Sequence, residues 1–105
     1  MGGPAGPDLF GELVQLYLGD LPDQIRTIRT TIEQSDSASL RREAHRLKGS
    51  SQQMGAARLA GFCMQLENLG KEDRVADAMP FFIGAERECA RVRRELALLK
   101  EKATL

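Results

Sequence analysis

At 105 residues and 11.6 kDa the chain is long enough for one hydrophobic core and too short for two. Fifteen Lys and Arg balance fifteen Asp and Glu, so no net field would hold the chain on a nucleic-acid backbone or an anionic membrane. An apolar content of 42% without Trp suits an aliphatic core and excludes a disordered chain.

The zero net charge is a sum of unlike halves. Up to Leu40, six acids face Arg26 and Arg29, a balance of −4; from Arg41 onward thirteen bases face nine acids, a balance of +4. Arg41, Arg42, Arg46, Lys48 and Arg58 concentrate that positive charge. Cys63 and Cys89 stand 26 positions apart with one histidine in the whole chain, so no Cys/His metal set is available and two reduced, buried thiols are expected. No stretch has the length of a membrane span, and the N-terminus lacks the charged and apolar regions of a signal peptide. A cytoplasmic protein is expected.

Residues 1–7 (MGGPAGP) read as a flexible lead-in and 103–105 as a tail, leaving 8–102 as the domain. From a cap at Asp8, apolar residues recur at Phe10, Leu13, Val14, Tyr17, Leu21, Ile25, Ile28 and Ile32 in one helical phase. Pro22 interrupts them, so this first helix is kinked or split there; the unbroken phase favours a kink. Ser35-Asp36-Ser37 is a turn and cap cluster, with Ser37 or Ser39 opening a second helix along Leu40, Ala44, Leu47, Ser51 and Met54 that ends at Gly55. A third stripe runs Leu59, Phe62, Cys63, Leu66 and Leu69 and closes at Gly70. A fourth runs from Val75 through Met79, Phe82, Ala85, Cys89, Val92 and Leu96 to Leu99. Four amphipathic segments with short turns bury their stripes together as an all-α antiparallel four-helix bundle.

Function is expected on a face the core does not need. At about 100° per residue, His45 points opposite the stripe of its helix, with Arg41, Lys48, Gly49 and Gln52 on its side. Gly49 costs about 0.8–1 kcal/mol in a helix relative to alanine; the missing Cβ clears a path to the imidazole for another surface. A solvated imidazole, titrating near about 6.5, is substantially neutral at cellular pH and is a competent nitrogen nucleophile, and Lys48 offers a mobile positive charge for phosphoryl oxygens. No acid that would orient the imidazole is identifiable, which argues against triad-type hydrolysis.

The run His45-Arg46-Leu47-Lys48-Gly49-Ser50-Ser51, then Met54-Gly55-Ala56, Leu59 and Cys63, resembles the histidine-containing phosphotransfer (HPt) domain of multistep two-component phosphorelays. The resemblance extends from Asp8 to about Leu99 and includes Leu18-Gly19-Asp20-Leu21-Pro22; Cys63 to Lys71 is similar to free-standing relay intermediates of fungi. Pro80 and Gly84 depart from it, where good helix formers are usual. It implies that His45 accepts a phosphoryl group on Nε2 from a receiver domain's phospho-aspartate and donates it to another receiver. It further implies that Lys48 steadies the phosphoryl oxygens, that Gly49 admits the receiver, that Gln52 is a polar neighbour and that Lys71 adds a second positive charge; Arg41 and Arg46 are expected to face the phosphoryl group or the receiver as well. On this reading the protein is a monomer without metal or cofactor of its own, Mg²⁺ belonging to the receiver, and without ATP-dependent kinase activity. The alternative is a non-catalytic adaptor that docks an acidic partner through its basic patch. Nucleic-acid binding is disfavoured by the net charge and the lack of stacking aromatics near Arg41–Arg58.

Overall fold

The computed structural model describes Leu9–Ala103, so the lead-in, the Asp8 cap and residues 104–105 lie outside the described residues. Four helices follow one another: α1 (Leu9–Glu33), α2 (Ser37–Gln53), α3 (Ala57–Lys71) and α4 (Met79–Ala103), with a single 3₁₀ turn, Val75–Asp77, before α4. No strand occurs among the described residues, and the helices form the expected bundle.

α1 is one helix rather than two and runs unbroken through Pro22. The ring removes one helical hydrogen bond, at a cost of about 3 kcal/mol in a helix interior. Leu21 and Ile25, both buried on the same stripe, hold the helix together across the gap. The stripe itself begins later than its periodicity suggests. Val14, Tyr17, Leu21, Ile25, Ile28 and Ile32 are buried, but Phe10 is 59% and Leu13 51% exposed. Tyr17 meets Ser51 of α2, and α2 ends only two residues further on, so the first turns of α1 project past the end of their neighbour. Leu99, at the far end of the fourth stripe, is exposed as well.

Three helix ends close in the same manner. A residue in the left-handed region follows each helix, at Ser35 (φ 53°), Gly55 (φ 74°) and Asp73 (φ 55°). In each case the next N–H reaches back five residues, Asp36 to Thr31, Ala56 to Ser51 and Arg74 to Leu69, at 2.8–2.9 Å. Gly55 therefore does what its position suggested, whereas Gly70 does not end α3; it is buried inside that helix, and Asp73 takes the left-handed turn. α2 opens at Ser37, and within the cap cluster it is Asp36 that caps the helix, accepting the Ser39 N–H at 3.1 Å.

The fourth helix begins at Met79, because Val75 is used in the separate 3₁₀ turn. Pro80 is thus the second helical residue, where an N–H has no partner within the helix and its loss costs little. Gly84 receives the Phe62 ring, which a Cβ there would overlap. Both departures from good helix formers are accommodated. The core joins all four helices, with Phe82, Leu21, Ile28, Leu40, Leu47, Leu59, Leu66 and Cys63 fully buried.

Candidate functional site

The site lies beside a close backbone contact between α2 and α3. A Cβ built on Gly70 would stand 2.7 Å from the Arg41 nitrogen and 2.8 Å from the Ser37 carbonyl oxygen, so only glycine lets the two backbones meet there. The helices are antiparallel. One turn along α2 from Arg41 reaches His45, and about one turn back along α3 from Gly70 reaches Glu67.

Those two residues face each other. His45 Nδ1 lies 2.8 Å from Glu67 Oε2, and Lys48 Nζ donates to Glu67 Oε1 at 2.6 Å. Lys71, one turn further along α3, places its Nζ 3.9 Å from Oε2. Glu67 is only 4% exposed, while the His45 side chain is 67% exposed. A carboxylate almost wholly covered by its neighbours thus ties together an exposed imidazole and a lysine.

Burial pushes the Glu67 carboxyl toward its neutral form, but the hydrogen bonds from Lys48 and His45, with their charges, more than offset this and hold it below the usual carboxylate range. An ionised carboxylate can only accept, so Nδ1 of His45 must carry the proton in their hydrogen bond. In the neutral ring this leaves the lone pair on Nε2, the nitrogen on the open edge.

The positions singled out in the sequence divide into two groups. His45 and Lys48 gather directly around Glu67 and Lys71 stands at its edge, while Arg41 lines a shallow cleft of about 520 Å³ beside His45 together with Ala38, Arg42, Glu67 and Lys71. Lys48 is not the mobile cation expected, since its side chain is 21% exposed and is held by Glu67. Gly49 has nothing within 4 Å of where its Cβ would be, so packing does not require a glycine there. Arg46 points elsewhere, with Nη1 3.7 Å from Glu43 Oε2. Gln52 is exposed about 10 Å along α2 from His45 and reaches neither Glu67 nor the cleft. Ser51, on the core side as the helical phase indicated, is fully buried and shares a 2.7 Å hydrogen bond with Tyr17.

Glu67 is the residue that sequence reasoning missed, and its presence overturns the expectation that no acid orients the imidazole. Its signal in the helical pattern is a position at the edge of the α3 stripe, four residues after Cys63 and four before Lys71. A solvated edge glutamate has the same signature. Among the described residues no group of three or more His, Cys, Asp or Glu is placed to hold a metal ion, and no helix is long and apolar enough to cross a membrane.

Comparison with known proteins extends over most of the chain. The family model of the Hpt domain matches residues 12–102. Histidine-containing phosphotransfer protein 5 of Arabidopsis thaliana is 31% identical over 64 residues, which cover 58% of this chain and 41% of that protein. The chain thus spans less than half the length of this curated relative. The crystal structure of histidine-containing phosphotransfer protein B (HptB) from Pseudomonas aeruginosa PAO1 matches with a TM-score of 0.87 and 29% identity, over 90% of this chain and 83% of that one. The match over residues 12–102, together with the shared helical bundle, means that this chain belongs to the Hpt domain family.

Proposed function

We propose that the protein is a phosphorelay intermediate, in which His45 takes a phosphoryl group on Nε2 from the phospho-aspartate of one receiver domain and passes it to the aspartate of another. The observation that carries this reading is the division of the imidazole between two environments: Nδ1 is engaged by the buried Glu67, and the rest of a 67% exposed ring is open to a partner.

Phosphoryl transfer through a loose, in-line transition state asks for positioning and charge neutralisation more than for acid–base work. Glu67 supplies the positioning by holding the ring in one tautomer and orientation. Arg41 and Lys71, in the cleft beside His45, supply positive charge for the phosphoryl oxygens. Lys48 joins them if the incoming dianion draws it from Glu67. The open space at Gly49 lets the receiver approach. Beyond it, Leu13 and Leu16 of α1, 51% and 65% exposed, line a shallow hollow with Ser50, Gln53 and Met54 and offer the receiver an apolar footing. Mg²⁺ and the acidic pocket are the receiver's contribution. The protein works as a monomer in the cytoplasm, a setting in keeping with the free, buried thiols of Cys63 and Cys89.

The test is incubation with a phosphorylated receiver domain, followed by acid and base treatment. Label that is acid-labile and base-stable on the wild type and missing from His45→Gln supports the relay. Undiminished labelling of His45→Gln would overturn the assignment.

A further inference from the structure

We propose that two copies of this chain associate weakly and reversibly through the start of α1 and the end of α4, and that a second copy and a receiver domain exclude each other there. The self-association stands on the fold alone, and the exclusion rests on the phosphorelay reading.

α1 and α4 are antiparallel, with Arg29 3.3 Å from Glu86 and with Leu18 and Gly19 sharing a groove with Arg93, Arg94 and Ala97. The start of α1 and the end of α4 therefore lie at one end of the bundle. The other two helices stop short of it. α2 finishes at Gln53, just past the Ser51 that meets Tyr17. α3 opens at Ala57, little more than a turn before the Phe62 that packs at Gly84, while α4 runs on to Ala103.

Beyond that point α1 and α4 make a layer of two helices whose inner face no described residue of α2 or α3 covers. Phe10 falls in phase with the buried stripe of α1, and Leu13 lies beside it, toward α2. Leu99 comes five turns after Phe81, which lines a groove with α3, so it faces the place where α3 would continue. These three are 59%, 51% and 54% exposed, and Leu9 and Leu16, each 65% exposed, form the rim.

This face lacks two helices, and the same end of a second copy supplies two. In a two-fold arrangement the layers lie face to face, each filling the places that α2 and α3 leave empty in the other, with the two bundles pointing apart. All five apolar residues are more than half exposed, which amounts to roughly 500 Å² per copy, a patch of the size that marks an interaction site. The pair would bury about 1,000 Å², the lower bound of a specific interface and the size of a weak one. Leu13 and Leu16 are also the footing offered to a receiver. The pair is thus a resting form, and the monomer is the form that exchanges phosphate.

The test is sedimentation equilibrium of the full chain between about 10 µM and 1 mM, where the weight-average mass should rise from monomer toward dimer. Phe10→Glu and Leu99→Glu each enter the interface twice and should raise the dissociation constant at least about tenfold. Leu98→Glu, at 55% exposure on the outward side of α4, should leave it unchanged. All three positions are exposed, so circular dichroism should match wild type; if Phe10→Glu loses helicity, Leu99→Glu against Leu98→Glu decides. A wild type that stays monomeric at the highest concentration would overturn the proposal and leave this end to the receiver or to another protein. A dimer that all three variants form equally well would overturn it too. An unphosphorylated receiver domain of a kind that labels His45 should form one-to-one complexes at the expense of the dimer, and a complex of two chains with a receiver would overturn the exclusion. Failure of the relay reading is distinct, since no receiver would then label His45 while the masses and the variant pattern stayed as expected.

Discussion

Gly70 lies so close to Arg41 that a side chain of even one carbon would meet the Arg41 backbone at 2.7–2.9 Å. This contact sets the spacing of α2 and α3 one turn from the site, and His45 and Glu67 meet because of it. Substituting Gly70→Ala gives a clash with backbone, which cannot rotate away. The expected cost is about 1–3 kcal/mol, read as a lower urea midpoint, with slower labelling of His45 as the two helices separate.

Gly49 presents the opposite case. Its Cβ would meet nothing, so Gly49→Ala should raise stability by about 0.8–1 kcal/mol through helix propensity alone. In a domain of this size that is a rise in Tm of roughly 4–8 °C. Phosphotransfer from a receiver should slow at the same time, since the added carbon stands in the path to His45. A stabilised variant with unchanged transfer would show that Gly49 has no part in admitting a partner.

Lys48 is tied to Glu67 at 2.6 Å, so Lys48→Ala does more than remove a charge near the phosphoryl group. It strips a hydrogen bond from a buried carboxylate. The expected loss is about 1–3 kcal/mol, with helicity retained by circular dichroism at 25 °C and the denaturation midpoint reduced. Transfer should slow as well. A variant as stable as wild type would mean that solvent replaces the lysine at Glu67.

The acid limb of stability follows from the same carboxylate. Folded Glu67 holds its proton less tightly than an unfolded glutamate, because Lys48 and His45 favour its charged form over the cost of burial. Its stabilising contribution is therefore complete above the unfolded value of about 4.3 and disappears as pH falls through the lower folded value. Asp36, held below its ordinary range by the Ser39 hydrogen bonds at the α2 cap, acts in the same direction. Urea midpoints should be flat from pH 7 to about 5 and fall steeply below about 4, with a shallower fall in Glu67→Gln.

At the alkaline end the core resists for a different reason. Burial pushes the Cys63 thiol up to about 12, with Cys89 adding to the shift and Lys48 opposing it. The neutral thiol is the folded form, so this contribution is present below the unfolded cysteine value of about 8.5 and is lost as pH rises from there toward 12. Cys63 should resist thiol reagents at pH 8 until the protein is unfolded; ready modification of the native protein would contradict its place in the core.

The sequence by itself determined four helices, the stripes each buries, the left-handed turn at Gly55 and the outward face of His45. All of these follow from a 3.6-residue period or from the backbone preference of one residue, properties that belong to a single segment. Tertiary structure alone decided the rest. Phe10 and Leu13 fit the stripe yet remain exposed, because α2 ends before it could cover them. Gly70 looked like a helix end and is a contact between helices, while Asp73 makes the turn. Glu67 could have been any solvated edge residue, and Lys48 any mobile cation, until the pairing of α2 with α3 brought them together around one imidazole. Periodicity tells which way a side chain points from its own helix; it carries no information about the group that another helix will set opposite.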